Sequence, residues 1–598
     1  MIETPREHGE GRSQPEPGGT MTSQYSRYHA AEHALPERGW AWNLYGAGEE
    51  NMGKDGQPEL LPIPEPNADQ MLVRIDSVGQ CFSDVKIMRQ GGSHPKLYNR
   101  DLSQEPTRLG HEVSLTVVEV GKNLKGRYHH GQRLAVQPDI YQDGKSTAYG
   151  YTIPGGLIQY HLMGSEMLDT DDGVCLLPVS DSMGYAEAST LEPWGCVMAA
   201  YTQRRRLDPK TGGIMWIMGR PGDQRQYLFS SGLDAPATIV MTDTPATVAA
   251  LVEQTSATKI VRNGIGPDDY QALVDELTDG IGFDDIVMLD PRSAPLVGAV
   301  AKHIARRGTL NLVGQTALDG LVNTDVGRLH YDYTAYLGSH GPDIAASYGE
   351  ARNRCDLRSK GTTVFVGAGG PMGLMHVQRA IQQPDGPRKI VATEMSDDRL
   401  KSLQDRLAPL AQSNGCELFT FNPQTQDQSL HDFVMEITDD QGADDVVVSV
   451  PIAEVMAEAD TLMNPEGMLV FFAGVPNGTL APLNLSAVYL NNAQYTGTSG
   501  LTIDDQQQVV DLADRGELSP GSIVGAIGGM QEAAEGLRAL VEGRYSGKVI
   551  IFPQIHDLPL MGLGELKEKL PEVAEKLGPG DMWTNEAEQA LFEKYWRA

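Results

Sequence analysis

The sequence predicts an α/β protein in which a β-rich region is followed by two tandem doubly wound units. Three observations predict it. Short alternating strands punctuated by Gly and Pro fill the first third, as in Gln70-Met-Leu-Val-Arg-Ile-Asp76 and Val113-Ser-Leu-Thr-Val-Val-Glu-Val120. From Gly212 the pattern changes to apolar strands alternating with helices, the mark of βαβ units. The chain then repeats itself across most of one such unit.

Taken in order, 598 residues are too many for one core. Residues 1–36, rich in Pro, Gly, Glu and Ser, are expected to be disordered. Residues 37–205 form the β-rich domain, 206–357 the first doubly wound unit and 358–500 the second. Residues 501–598 supply helices and a strand, within Gly543-Arg-Tyr-Ser-Gly-Lys-Val-Ile-Ile551, returning to the first domain. The chain ends in an amphipathic helix. Asn585 and Glu588 fit a capping box there, and Ala587, Leu591, Phe592, Tyr595 and Trp596 form one apolar stripe suited to core packing or a subunit contact.

The repeat is specific. Glu276-Leu-Thr-Asp-Gly-Ile-Gly-Phe-Asp-Asp-Ile286 matches Glu436-Ile-Thr-Asp-Asp-Gln-Gly-Ala-Asp-Asp-Val446 without a gap, 160 residues apart (436 − 276). Pro291 and Pro451 keep that spacing, as do Gly314 and Gly474, and Gly338-Ser-His-Gly341 answers Gly497-Thr-Ser-Gly500. Two copies of one fold follow each other.

The copies differ where a ligand would bind. Copy two has an apolar strand, Val364-Phe-Val366, that ends in Gly367, Ala368, Gly369, Gly370, Pro371, Met372 and Gly373 and opens a helix. Turn amides and a helix N-terminus together cradle a pyrophosphate, the Rossmann arrangement. Glu394 ends the next strand, where a carboxylate accepts ribose hydroxyls, and Arg399 follows in the next helix. Copy one has Met218-Gly-Arg-Pro-Gly-Asp223 instead, with proline inside the turn and no third glycine. Its phosphate cradle is read as damaged, the alternative being a second or different nucleotide site.

Upstream lie Cys81-Phe-Ser-Asp84, Gly110-His111-Glu112 and Leu191-Glu192-Pro193. A thiolate, an imidazole and a carboxylate suit Zn²⁺, and three protein ligands with an open position describe a catalytic site. Beside a dinucleotide fold, such a site implies hydride transfer.

Bulk properties exclude other classes. A formal charge of −32 disfavours nucleic acid and anionic membranes as partners. No apolar run approaches the ~18 residues of a membrane span, and no secretory signal opens the chain. Five cysteines, at 81, 175, 196, 355 and 416, form no CxxC pair, the usage of a reduced cytoplasmic protein.

Other segments carry a resemblance. Val120-Gly121 with Gly131-Gln-Arg-Leu-Ala-Val136, Gly155-Gly-Leu-Ile-Gln-Tyr160, Glu192-Pro193 and Gly547-Lys-Val549 resemble elements of the zinc-dependent medium-chain alcohol and polyol dehydrogenases. Glu192-Pro-Trp-Gly-Cys-Val197, Gly370-Pro-Met-Gly-Leu374, Phe471-Phe-Ala-Gly474 and Thr498-Ser-Gly500 are most similar to the L-sorbose-1-phosphate reductase type. The resemblance covers residues 40–225 and 358–598, with copy one inserted between, and Ala368 stands where the family has the first turn glycine.

The resemblance implies a GroES-like catalytic domain and Rossmann cofactor binding. It makes Cys81, His111 and a carboxylate the zinc ligands, with Glu112 and Glu192 both candidates for the direct carboxylate. Asp84 would orient a ligand, Ser83 would carry the substrate proton, and Lys86 would relay it or meet a substrate phosphate. One catalytic zinc and no structural zinc are expected, since the four closely spaced cysteines of the latter are missing. NAD or NADP is implied, with NAD favoured by Glu394. The substrate would be a small molecule: a sugar, polyol or sugar phosphate, with an unphosphorylated polyol or amino alcohol as the alternative. A non-catalytic nucleotide sensor is the reading outside enzymes. Family members pair their Rossmann sheets edge to edge, so copy one is expected to cover that edge in place of a partner.

Overall fold

A computed structural model describes residues 23–597. Its first element, α1 (Gln24–His29), corrects the expectation of disorder for the part of 1–36 that is described; residues 1–22 lie outside the described residues. The reason is a buried ion pair. Arg74 and Asp76 sit in one strand at 2.7 Å with no exposure, and a buried pair needs further hydrogen bonds to offset desolvation. Tyr28 supplies them: its hydroxyl donates to Asp76 Oδ1 at 2.6 Å and its carbonyl accepts from Arg74 Nη1 at 2.7 Å.

That strand is β1 (Met71–Gly79), buried along all nine residues. α2 (Phe82–Gln90) follows it directly. β2 (Glu112–Val120) pairs antiparallel with β1, setting Glu112 opposite Gly79. α3 (Leu191–Ala199) carries Glu192 in its first turn and leads out of the domain.

Copy one has β3 (Ile214–Met218), β4 (Thr238–Thr242), β5 (Thr258–Val261), β6 (Phe283–Leu289) and β7 (Ile304–Val313). β8 (Val322–Asp325) and α4 (Val326–Tyr331) then precede the last sheet strand, β9 (Ala335–Ser339). The sheet is parallel in the order β5-β4-β3-β6-β7-β9, the doubly wound order. Copy two follows with β10 (Thr362–Val366), α5 (Pro371–Gln382), β11 (Lys389–Thr393), β12 (Glu417–Phe421), β13 (Ala443–Val448) and β14 (Met463–Phe471). β15 (Leu480–Leu483), α6 (Ser486–Asn491) and β16 (Gln494–Gly497) complete it. Its order, β12-β11-β10-β13-β14-β16, is the same.

The repeated residues have matching tasks. Asp284 Oδ2 accepts the backbone N–H of Ile214 at 2.9 Å, and Asp444 Oδ2 accepts that of Thr362 at 2.8 Å, so each fixes the chain entering its copy's first strand. β8 pairs antiparallel with β15, Val322 opposite Leu483 and Asp325 opposite Leu480, equivalent strands meeting about a local two-fold. The paired glycines mark the same axis. A Cβ on Gly338 would lie 2.6 Å from Tyr489 Cβ of α6, and one on Gly497 would lie 2.9 Å from the Leu329 carbonyl of α4. Each copy's edge strand is thus crossed by the other copy's helix, and one apolar core runs through both, from Trp216 to Tyr495.

The C-terminal segment joins the first sheet. β17 (Val524–Gly529) and β18 (Lys548–Phe552) extend the first sheet, with Ile550 opposite Gly79 on β1. The final helix, α7 (Asn585–Tyr595), buries Ala587, Leu591 and Phe592 against Tyr28, Tyr185 and Phe552. Its cap differs from the expected box. Thr584 accepts from Ala587 N, while Glu588 accepts the N–H groups of Tyr185 and Ala186 across the core. No helix among the described residues is long and apolar enough to cross a membrane.

Candidate active site

Two segments of one sheet deliver the three metal-type donors. Cys81 leaves β1 and caps α2, His111 precedes β2, and Glu112 begins it. One ligand atom from each of Cys81, His111 and Glu112 lies within 4.8 Å of the others. Gly79 is required here, since a Cβ would fall 2.2 Å from Glu112 Oε2.

Each donor is oriented by a neighbour. Asp84 Oδ2 accepts the Cys81 N–H at 3.1 Å, and its Oδ1 accepts from Gly110 N at 2.9 Å and from His111 Nδ1 at 3.3 Å. With Nδ1 so engaged, His111 presents Nε2 to the cluster. Burial raises the Asp84 carboxyl, but the His111 charge and these donors outweigh it and hold it below the usual range. Glu112 Oε1 accepts from the buried Lys548 ammonium, while Oε2 is buried with no partner among the described residues. Burial disfavours the Lys548 charge, yet Glu112 keeps it protonated above the ordinary range. A soft thiolate, an imidazole and an orphaned carboxylate oxygen at this spacing fit a zinc ion.

Glu192 stands outside the three-residue cluster. It is buried beside it and accepts from the Cys196 thiol at 3.6 Å. Burial pushes its carboxyl above the ordinary carboxylate range, the nearby Glu112 charge adding to the effect. Ser83 lies on the first turn of α2 at the Tyr151 hydroxyl, and the Tyr151 and His111 rings are 5.9 Å apart. Lys86 is exposed one turn further on.

The cofactor-type residues gather at the carboxyl ends of β10 and β11. Gly367 turns with φ +82°, so the left-handed step is made there, while Ala368 is buried in the core. Gly373 lets α5 pack on the turn: a Cβ would meet the Gly367 carbonyl at 2.4 Å. Gly370 caps α5 and faces open space, with Pro371 and Met372 in its first turn. Glu394 Oε1 accepts from the N–H groups of Met395 and Ser396, and Oε2 lies under Gly369, where a Cβ would come within 2.4 Å. Arg399 Nη1 is 4.0 Å from Glu394 Oε2.

Copy one lacks this apparatus. No helix follows β3 before β4, so the amide cradle has no counterpart. Arg220, Arg225 and Arg292 instead grip the buried Asp290 carboxylate at 2.7, 2.9 and 2.8 Å. Asp243 Oδ1 accepts from Gly264 N at 3.1 Å.

Sequence reasoning missed Lys548, Cys196 and two residues of copy one. Lys548 lay in the noted Gly547-Lys-Val549 segment, but only the return of β18 shows what it touches. His330, on α4, accepts no sequence signal at all. Its Nδ1 is 3.2 Å from the Phe471 carbonyl, and a Cβ on Gly474 would lie 2.5 Å from the Tyr331 hydroxyl. Copy one therefore reaches the carboxyl end of β14 in copy two.

A family model described as "Alcohol dehydrogenase GroES-like domain" matches residues 67–169, and one described as "Zinc-binding dehydrogenase" matches residues 371–515. The chain is 24% identical over 553 residues to mannitol-1-phosphate 5-dehydrogenase of Aliivibrio fischeri, covering 91% of this chain and 96% of that one. It is 21% identical over 567 residues to L-sorbose 1-phosphate reductase of Klebsiella pneumoniae, covering 92% and 96%. Among solved structures, 2R,3R-butanediol dehydrogenase from Bacillus subtilis superposes with a TM-score of 0.48 at 15% identity, covering 86% of this chain and 99% of that one. The two family matches lie on either side of copy one.

Proposed function

The chain belongs to the zinc-dependent medium-chain alcohol and polyol dehydrogenases, and from that premise we propose that it interconverts a secondary alcohol and a ketone on a sugar or polyol phosphate. One observation carries the reading: Cys81, His111 and Glu112 converge within 4.8 Å, with Glu112 Oε2 buried and unpaired. The phosphate in the substrate is supported by the relatives, whose names include mannitol 1-phosphate, L-sorbose 1-phosphate and D-arabitol phosphate.

When bound, zinc supplies Lewis acidity at a substrate oxygen and a nicotinamide supplies or accepts hydride. The chain's own residues do the rest. Cys81, His111 and Glu112 hold the single metal, with Glu192 as a neighbouring carboxylate. Asp84 fixes the His111 tautomer, and Lys548 fixes Glu112. Ser83 passes the substrate proton outward, and Lys86, exposed on α2, meets the substrate phosphate. The 367–373 turn and the α5 N-terminus bind the pyrophosphate. Glu394 binds the adenosine ribose and favours NAD, because its charge repels a 2′-phosphate. Copy one binds no dinucleotide and takes the place of a dimer partner. Five free thiols fit a cytoplasmic setting.

The test is metal content, with NADH and NADPH titrated separately, on wild type and Cys81→Ala. The expected result is close to one zinc per chain, lost in the variant, with one dinucleotide bound and a phosphorylated polyol oxidised. Preference for the unphosphorylated polyol moves the enzyme to the sorbitol or threonine type. Nucleotide binding with no zinc, even after supplementation, makes it a sensor.

A further inference from the structure

Copy one touches copy two at the carboxyl ends of β14 and β16, and α4 makes the contact. The loop leaving β14 is clamped along its length. Gly478 N donates to Asp325 Oδ2 at 2.8 Å, Val326 N donates to the Thr479 carbonyl at 3.0 Å, and a Cβ on Gly327 would lie 2.4 Å from the Pro476 carbonyl. The last turn of α4 then brings His330 and Tyr331 over Gly474. A Cβ on that glycine would come within 2.5 Å of the Tyr331 hydroxyl and 2.8 Å of His330 Nε2. His330 also crowds the neighbouring strand end, where a Cβ on Gly497 would lie 3.0 Å from its Cα.

Both strand ends belong to the ligand side of the sheet. Open α/β sheets bind ligands in the crevice outside the carboxyl ends of their strands, the side on which β10 gives way to the 367–373 turn. The segment from Gly497 to Leu501 runs on to the β-rich domain. A Cβ on Gly500 would lie 2.2 Å from Asp139 Oδ2, and the Leu501 carbonyl accepts from Gln137 Nε2 at 3.2 Å. Asp139 is in turn near enough to Glu192 for its charge to raise that carboxyl. Lys86 on α2 is the charged group that acts on His330. His330 therefore stands where copy two and α2 approach each other.

Its chemistry is defined by its neighbours. Nδ1 donates to the Phe471 carbonyl at 3.2 Å. Burial, with the Lys86 charge adding to it, lowers the pKa of His330 to about 4, so the ring is neutral at neutral pH and Nε2 is an acceptor. An acceptor matches a hydroxyl group and mismatches a phosphate, whose oxygens also accept. Tyr331 is 40% exposed and adds a hydroxyl able to donate or accept.

We propose that copy one completes the substrate site of copy two: His330 Nε2 accepts from one hydroxyl of a polyol chain, and the Tyr331 hydroxyl bonds a neighbouring oxygen of that chain. This deepens the dehydrogenase reading above and rests on it. The two residues select for a hydroxylated carbon chain, since a plain secondary alcohol gains nothing from either group. Copy one, without a nucleotide cradle of its own, then contributes specificity to the copy that has one.

The test uses the zinc-loaded full chain with its bound dinucleotide, and mannitol 1-phosphate as the probe, followed by steady-state kinetics and by calorimetric titration. Losing one neutral hydrogen bond is expected to raise KM and Kd about 3–10-fold in Tyr331→Phe and in His330→Asn, with zinc content and NADH affinity unchanged. The two amide replacements separate binding from bracing. Asn keeps a donor where Nδ1 meets Phe471 and lacks Nε2, whereas Gln keeps a polar atom where Nε2 stood. His330→Gln is therefore expected to bind the probe more tightly than His330→Asn. The reverse order, with His330→Asn like wild type, makes His330 a brace between copies and overturns the proposal. Tyr331→Phe removes a single hydroxyl from a half-exposed ring, so it reports independently of how the His330 variants fold. Wild-type KM and Kd in Tyr331→Phe and His330→Asn overturn this inference and leave the dehydrogenase reading standing. Failure of wild type to bind or turn over either mannitol 1-phosphate or L-sorbose 1-phosphate overturns both.

Discussion

Lys548 donates to Glu112 Oε1 across 436 residues of sequence, and the other carboxylate oxygen, Oε2, is left buried with no partner among the described residues. The lysine sets which oxygen is offered to a metal and compensates the charge of the carboxylate. Replacing it by Met removes both effects. Lys548→Met is expected to weaken zinc binding about 10–100-fold, read by competition with a chromophoric chelator, with the far-ultraviolet spectrum unchanged.

Glu394 sits under Gly369 with one oxygen held by two backbone amides, and the proposed ribose contact falls to the other. Glu394→Gln removes a charge-assisted acceptor without changing size. NADH is expected to bind about tenfold more weakly, and NADPH to bind as well as before or better, in separate fluorescence titrations.

His376, fully buried in α5, meets the Tyr201 hydroxyl through Nδ1 at 2.6 Å and has no partner at Nε2 among the described residues. Burial lowers its pKa to about 3, against 6.5 in an unfolded chain. The fold therefore holds it neutral, and its share of stability is complete above pH 6.5 and is lost as the pH falls toward 3. Urea midpoints should decline below pH 6.5, by about 1.4 kcal/mol per unit for this histidine. His376→Gln should flatten that decline.

Gly338 abuts α6 so closely that a methyl group meets Tyr489 backbone and Cβ atoms. Gly338→Ala is expected to cost about 1–3 kcal/mol. Because the two sheets meet within one chain, the variant should keep the wild-type mass by light scattering, which is expected to be the monomer's 64.9 kDa. Dissociation of a larger species on this substitution would place the contact between chains instead.

How far the sequence could be read follows from distance along the chain. Cys81, His111 and Glu112 announce themselves because each lies in a short segment whose residue types suit one task, and the glycine turn before α5 does the same. The repeat was visible because Asp284 and Asp444 serve the same local contact in each copy. What stayed hidden were partnerships formed only when distant strands pair. Lys548 reaches Glu112 through the β18–β1 pairing. Glu588 reads as one half of a local cap, yet it satisfies amides some 400 residues away. Tyr28 lies in a polar, low-complexity stretch, and only the buried Arg74–Asp76 pair gives it a reason to be ordered. His330 and Tyr331 carry no motif, and their place beside Gly474 depends on the local two-fold between copies.

That two-fold has a consequence for how the protein behaves when dilute. Surfaces held together between separate chains come apart as concentration falls. Here β8 and β15 belong to one covalent thread, so each meets its counterpart at an effective concentration in the range of ~mM, whatever the abundance of the protein. One copy can then keep the nucleotide turn while the other spends its loop on gripping Asp290, a division of labour closed to identical subunits.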